Sequence, residues 1–493
     1  MTATSTATRM PAPRAQPPET PRRWTALAFI ALAQLMVALD ATIVSIALPS
    51  AQAALHASDA ERQWVITAYT MAFGGLLLLG GKVADRLGRK RTFLIGLAGF
   101  ACASALGGVA VNFEMLVAAR AVQGVFAALL TPTALSLLAV TFTEPRERAT
   151  AFAVYGGIAG SGAAVGLVLG GALTQYLSWR WCLFVNIPVA LVAAAGGSVV
   201  LRATPRSGGR ARLDLPGALL ATSALVALVY GCSTAVTDGW GSAAVIGTLA
   251  ASGLLGVAFV VRQRFGSAPL LPLRIVLDRN RGGAFIVALF AVAGMFGAFL
   301  LITYYLQVVK GFSPLEAGLG FLPITVASQT SSWLVARRFM PRVQPRALIA
   351  PGLLIAAGGM ALLTQVQAGS GYAWPILPAE LLLGFGLACA LVPTFNVATL
   401  GVDVREAGVA AAVVNTAQQV GASIGTALLN TVAASATAAY IASSAGVAAN
   451  RAGALVHGYA TATGWAAAVL LGGALIAAML ISAPRPAGRP SAG

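Results

Sequence analysis

Apolar runs of about twenty residues recur along nearly the whole chain, separated by short stretches that hold most of the charge. A helix rises 1.5 Å per residue, so about 20 residues cross a hydrocarbon core roughly 30 Å thick. The pattern predicts fourteen spanning helices, near 24–49, 63–81, 92–111, 114–139, 149–172, 181–201, 213–236, 242–262, 283–308, 315–336, 347–366, 374–400, 406–433 and 460–482. An even number puts both termini on one side. The expected fold class is an all-α polytopic membrane protein.

The basic residues choose the side. Of the 32 Lys and Arg, 27 fall in loops or ends on the side of the termini. Four (Arg62, Arg180, Lys310 and Arg451) fall on the other, and Arg120 lies inside a span. Both termini are therefore expected in the cytoplasm. A missed or invented span would invert every later loop and destroy this asymmetry.

Composition agrees. The chain is 58% hydrophobic and only 10% charged, against about 25% charged in soluble domains. The net charge of +17 sits in short clusters rather than a continuous stripe, so nucleic acid is not an expected partner. The four cysteines, Cys102, Cys182, Cys232 and Cys389, lie in apolar runs and read as small packing residues. His56 and His457 fall in expected loops, which gives a metal site no support. Residues 1–22 are Pro/Ala/Thr-rich and expected to be a disordered cytoplasmic segment, with no signal peptide; 483–493 form a cytoplasmic tail.

The chain also repeats itself. Arg146-Glu147 followed by Gly162 and Gly166 recurs as Arg405-Glu406 followed by Gly421 and Gly425. Val83-Ala84-Asp85-Arg86 is echoed by Val335-Ala336-Arg337-Arg338. The first six spans (23–201) thus resemble the last six (282–482), and 202–281 reads as a linker carrying two inserted helices. Parallel halves around a midplane site are a transporter architecture.

Several motifs identify a family. Gly81-Lys82-Val83-Ala84-Asp85-Arg86-Leu87-Gly88-Arg89-Lys90-Arg91 resembles the loop 2–3 motif of the major facilitator superfamily. The first-span run Leu39-Asp40-Ala41-Thr42-Ile43-Val44-Ser45-Ile46-Ala47-Leu48-Pro49 is similar to that of its 14-span drug:proton antiporters, the EmrB/QacA type. Leu116, Arg120, Gln123 and Gly124 match the fourth-span motif. Trp179-Arg180-Trp181 with Phe184, Asn186 and Pro188 matches the start of span six. Tyr305-Leu306-Gln307 with Gly311, Ser313 and Ala317-Gly318 matches the span 9–10 region. The resemblance covers nearly the whole chain and implies a major facilitator fold with two inserted helices. One motif departs: the antiporter helix keeps Gly162, Gly166, Gly170 and Gly171, but Leu167 stands where the family has proline. The glycines keep a close-packing face, and the proline kink is missing.

Asp40 is the sharpest candidate. It lies roughly 15 Å below the outer surface, where a carboxylate is costly unless paired, hydrated or protonated, and the default reading is functional. Arg120 lies at a similar depth, about 12 Å. Arginine does not release its proton, so its expected task is to bias Asp40 or the substrate. In the loop 2–3 turn, Gly81 and Gly88 permit close approach, while Arg86 and Arg89 satisfy the positive-inside rule. The resemblance implies that Asp85 helps lock one conformation; the alternative is a solvated turn. Glu380 reads either as a second protonatable group or cation ligand, or as a residue at the wet outer mouth. Gln34, Tyr69, Gln123, Tyr304, Asn396, Asn415 and Gln418 are intramembrane polar groups that line a substrate cavity or join helix to helix.

No Walker motif, paired-carboxylate site or Ser/His/Asp set is present, so no enzyme activity and no cofactor are expected. The resemblance implies a proton-driven exporter of small amphipathic or hydrophobic compounds in a bacterial cytoplasmic membrane. Its partners would be protons, small-molecule substrate and lipid, and a monomer is expected. The alternatives are an exporter of a single metabolite or self-made antibiotic, a proton-coupled uptake system, or a non-transporting membrane sensor.

Overall fold

A computed structural model describes residues 20–58, 61–142, 144–201, 214–266, 269–271, 273–340, 342–400, 407–443 and 451–483, with a few side chains inside helices also outside that set. The expectations for 1–19, for the arginines of 202–212, for Arg405-Glu406 and for 484–493 fall outside the described residues, as does the side chain of Asp85.

The described chain is helical throughout. The elements are α1 (Thr20–Ala54), α2 (Trp64–Leu87), α3 (Arg89–Gly108), α4 (Phe113–Thr141), α5 (Pro145–Tyr176), α6 (Trp181–Phe184), α7 (Asn186–Val200), α8 (Leu215–Asp238), α9 (Ala243–Phe265), α10 (Leu273–Val276), α11 (Arg279–Tyr304), α12 (Pro314–Gly320), α13 (Leu322–Leu334), α14 (Arg346–Leu363), α15 (Ile376–Thr399), α16 (Ala407–Ser443) and α17 (Arg451–Leu480). Among the described residues, eleven helices are long and apolar enough to cross a membrane. Two shorter apolar helical stretches, Trp64–Leu77 in α2 and Ala164–Tyr176 in α5, add to these among the described residues. Large apolar side chains such as Leu191, Val199, Leu254, Val257 and Phe265 stand exposed on the outside, which suits a surface covered by lipid.

Two predicted spans are broken. Span six is split into α6 and α7 at Val185. The tenth is split into α12 and α13 at Phe321, and α12 opens on a Ser313–Glu316 capping box. The last helix begins at Arg451 rather than near 460, so His457 is helical and stacks on Tyr440, not in a loop. Cys102 is exposed, so it is not the packing residue expected; Cys182 and Cys389 are buried.

Helices α1–α7 pack on one another through the α2–α4, α1–α5, α3–α4, α3–α7 and α1–α7 pairs. Helices α11–α17 do so through α14–α15, α11–α16, α14–α17 and α13–α15. The repeated glycines make equivalent contacts in the two bundles. A Cβ on Gly162, Gly166 or Gly170 of α5 would meet α1, and one on Gly421 or Gly425 of α16 would meet Leu289 or Ala293 of α11. Gly171 faces Pro314 and Leu315 of α12, and Gly318 of α12 faces Leu167 and Val168, so glycine is required on both sides of this crossing. The inserted α8–α9 pair is not wholly peripheral: α8 packs on both α2 and α16, with Thr431 donating to the Cys232 carbonyl at 3.2 Å.

Gly124 of α4 sits against the Tyr69 carbonyl and Phe73 backbone of α2. A side chain there must push backbone, so Gly124→Val is expected to cost about 1–3 kcal/mol or more. The measurement is the folded fraction after heating in detergent, read by size-exclusion chromatography. A variant as heat-resistant as wild type would contradict this packing.

Candidate functional site

Asp40 and Arg120 face each other. Arg120 Nη1 is 2.6 Å from Asp40 Oδ2, and both residues are almost inaccessible, at 1% and 0% exposure. Asp40 lies in the middle of α1 and Arg120 two turns into α4, so helix geometry alone sets the depth of each. The second carboxylate oxygen, Oδ1, accepts from Asn186 Nδ2 at 2.8 Å and from Gln123 Nε2 at 3.2 Å. Ser104 Oγ accepts from Gln123 Nε2 at 2.6 Å and from Asn186 Nδ2 at 3.4 Å. Arg120 also donates to Gln123 Oε1 at 2.8 Å and, through Nε, to the Val65 carbonyl at 3.2 Å. Its guanidinium lies 4.3 Å from the centroid of the Tyr69 ring.

The network joins α1, α2, α3, α4 and α7 inside one bundle. Such a charge pair is tolerable away from water only when its donors and acceptors are met. Here they nearly all are, the exceptions being the Asn186 Oδ1 and Tyr69 hydroxyl, which find no partner. The Asp40 carboxyl thus receives three side-chain donors in this conformation. Adding a proton to it removes the reason for Arg120 to point there.

Ser104 belongs to the site although the sequence does not single it out, and Asn186, named in the sequence only as part of the span-six motif, joins it beside Asp40. Asn186 sits in the span-six motif, and the break at Val185 starts α7 beside Asp40; Ser104 is one small polar residue in an Ala/Gly-rich helix. Asn186→Ala removes a charge-assisted bond worth about 1.5–3 kcal/mol. Heat resistance in detergent is expected to fall accordingly, and a variant as heat-resistant as wild type would contradict a role for Asn186 in holding Asp40.

The other sequence candidates are scattered. Tyr69 and Gln123 are part of the Asp40 network. Gln34 accepts from the Tyr155 hydroxyl at 2.5 Å, joining α1 to α5. Tyr304 donates to Gln52 Oε1 at 2.5 Å, across the two bundles. Asn415 donates to Ala411 of its own helix at 3.0 Å. Asn396 Oδ1 is buried without a partner, and Gln418 is half-buried. Glu380 is fully buried in α15 rather than at a wet mouth. In the loop 2–3 turn, Gly88 takes φ 93°, the left-handed region that glycine permits. Gly81 lies against Pro132 and Arg86 is exposed. Arg89 opens α3, Lys82 donates to the Pro269 carbonyl at 2.8 Å, and Lys90 to Ser198 O at 2.6 Å. The motif's lysines thus fasten neighbouring segments.

The two bundles also touch beside the start of α2. Arg62, 3% exposed, donates through Nε to Asn430 Oδ1 of α16 at 3.0 Å and lies 3.8 Å from the Tyr304 ring centroid of α11. Gln307 donates to the Ile46 carbonyl at 3.0 Å, and the Leu315 amide to Gln175 at 3.3 Å. These contacts cluster at the α1 and α5 C-terminal ends.

A bundle of apolar helices around a buried ion pair defines a polytopic membrane transporter. The chain belongs to the Major Facilitator Superfamily, whose model matches residues 30–426. It is 51% identical over 463 residues to the puromycin resistance protein pur8 of Streptomyces alboniger, covering 94% of this chain and 92% of that one. It is 39% identical to the cephamycin export protein CmcT of Amycolatopsis lactamdurans, over 84% of this chain and 85% of that one. It is 32% identical to the multidrug efflux pump LfrA of Mycolicibacterium smegmatis, over 83% of this chain and 81% of that one. Among solved structures, the POT family transporter PepTSo superposes with TM-score 0.69 at 15% identity, covering 94% and 98% of the two chains. A bacterial homologue of the lysosomal transporter Spinster does so with TM-score 0.67 at 16% identity, covering 93% and 97%. At such identities these two establish the fold alone.

Proposed function

We propose that the protein exports small amphipathic or hydrophobic compounds, antibiotics among them, in exchange for protons, by alternating access in a bacterial cytoplasmic membrane. The observation that carries this reading is the buried Asp40–Arg120 pair with its three donors to the carboxylate. Two bundles, 23–201 and 282–482, rock against each other, joined by 202–281 with its inserted helices, in a 14-span chain of the EmrB/QacA type with both termini cytoplasmic. No cofactor is required; the proton gradient supplies about 2.3 kcal/mol per charge per 100 mV of potential.

The coupling follows from the contacts of Arg120. It holds Asp40 of α1 and the Val65 carbonyl of α2 together. One turn before Val65, Arg62 reaches α16 and α11 of the other bundle. Protonating Asp40 weakens its hold on Arg120, and the start of α2 is then free to shift with its contacts across the seam. A proton thereby changes the relative stability of two bundle arrangements, which is what exchange requires. On the positive-inside orientation, this seam is the outer one, closed here. The Asp85 turn gates the opposite, cytoplasmic end.

The names of the relatives supply the compounds to try. The puromycin and cephamycin proteins favour a narrow exporter of one antibiotic, and the multidrug pump a broad one. The chain is to be expressed in a susceptible host lacking its own major efflux systems and tested against puromycin and a panel of unrelated dyes and biocides. Protection against several unrelated compounds supports broad export, and protection against one antibiotic alone supports the narrow reading. No protection against any compound would count against export.

A further inference from the structure

The proposed cycle uses one acid, yet a second lies fully buried in the other bundle. Glu380 stands in the second turn of α15 with 0% exposure. Its Oε2 is 3.0 Å from the Tyr372 hydroxyl, and its Oε1 has no partner. The same Tyr372 hydroxyl is 2.5 Å from the Gly320 carbonyl, where α12 gives way to α13.

Counting protons decides the state of this group. A phenol has one hydrogen to donate, and a peptide carbonyl only accepts. At 2.5 Å the proton of Tyr372 belongs to the Gly320 contact, the shorter of the two. The Tyr372 oxygen then faces Glu380 as an acceptor, and a carboxylate offers it no hydrogen. Two lone pairs would meet at 3.0 Å, with the other carboxylate oxygen buried and bare. A carboxylic acid removes both difficulties. Its O–H donates to Tyr372 Oη, and its carbonyl oxygen is a neutral group that is far less costly to leave unmet than a charge.

The charges around Glu380 agree. Helices α13 and α16, packed on α15, contain no Asp, Glu, Lys, Arg or His, and the turn Val335–Phe339 that also packs on it carries Arg337 and Arg338, beyond the far end of α13. The charged residues of α14 and α11, Arg346, Arg279 and Arg281, lie in their first turns, at the end remote from Glu380. Nearer in the fold, Glu316 is occupied in the Ser313 capping box, and Lys310 forms no ion pair among the described residues. Tyr304 and Tyr305, at this end of the bundle, are bonded to Gln52 and to the Gln367 carbonyl. Burial and the neighbouring Glu380 push the Tyr372 hydroxyl up, so it remains a phenol. Asp40, with an arginine and two amides, and Glu380, with one shared hydroxyl, thus sit in opposite surroundings within one conformation.

We propose that Glu380 is a second proton-binding site of the transport cycle, loaded in this conformation and releasing its proton to water admitted when the Tyr372–Gly320 junction opens. Losing that proton leaves a bare carboxylate in an apolar core, which water must reach. The α12–α13 break and the segment before α15 then separate, so release is tied to opening of this bundle. The proposal rests on the proton-exchange reading above.

The test pairs two measurements on the reconstituted protein. Infrared difference spectra between acid and alkaline pH are recorded for wild type, Glu380→Gln and Tyr372→Phe. The expected result is a protonated-carboxyl stretch in wild type that is absent in Glu380→Gln and shifted in Tyr372→Phe. In the same vesicles, Glu380→Gln is expected to lose gradient-driven dye accumulation while keeping dye exchange in the absence of a gradient. Gln preserves the volume and can donate to Tyr372, so retained exchange shows that it is folded. Wild-type and Glu380→Gln spectra without a carboxyl difference would overturn the protonated state. A carboxyl band with undiminished gradient-driven accumulation in the variant would overturn the coupling role. The infrared arm does not depend on transport, so failure of the antiport reading appears separately, as wild type that moves no dye under a gradient.

Discussion

Arg120→Ala is expected to destabilise the protein by about 3–5 kcal/mol, the usual cost of leaving one member of a buried charge pair alone. The loss comprises the Asp40 bond at 2.6 Å, the Gln123 and Val65 contacts and the packing on Tyr69. Much of it arises from the carboxylate left behind rather than from the bond itself. The double variant Asp40→Asn with Arg120→Gln is therefore expected to recover most of the stability while remaining unable to couple. The assay is heat resistance in detergent for the two single variants and the double. If Arg120→Ala resists heat like wild type, Asp40 is already neutral or hydrated, and the pair is not what holds these helices together.

Asp40→Asn should have the opposite signature, with modest loss of stability and complete loss of coupling. The amide keeps the shape and an acceptor for Arg120, but it binds no exchangeable proton. One proton driven by 100 mV is worth about 2.3 kcal/mol. At 1.36 kcal/mol per factor of ten, its removal costs about fifty-fold in the concentration ratio the protein can maintain. Dye exchange without a gradient is expected to survive. If exchange is lost as well, Asp40 is required for the conformational change itself and not only for its coupling.

Depth along a span was enough to bring Asp40 and Arg120 to the same level, and the two meet. The 259-residue offset was enough to relate Gly162 and Gly166 to Gly421 and Gly425, and each pair makes the equivalent helix crossing. These inferences worked because helix rise and glycine size are local properties. What was not legible depends on rotation and on chain reversal. No periodicity says that Asn186 turns toward Asp40, because the break at Val185 resets the helix phase. Ser104 is one hydroxyl among alanines, and its role exists only because Gln123 and Asn186 arrive from other helices. The burial of Glu380 follows from the segment carrying Tyr372, eight residues earlier, folding back over it. The early start of α17 at Arg451 was hidden because its first turns are too mixed in polarity to read as membrane-spanning.

The most direct test of proton exchange through Asp40 is dye movement in everted vesicles under an imposed pH gradient, wild type beside Asp40→Asn. The account predicts that wild type accumulates dye when the gradient is applied and releases it when the gradient is collapsed. The variant should do neither, while still exchanging dye at equilibrium. Equal gradient-driven accumulation by both proteins would contradict it.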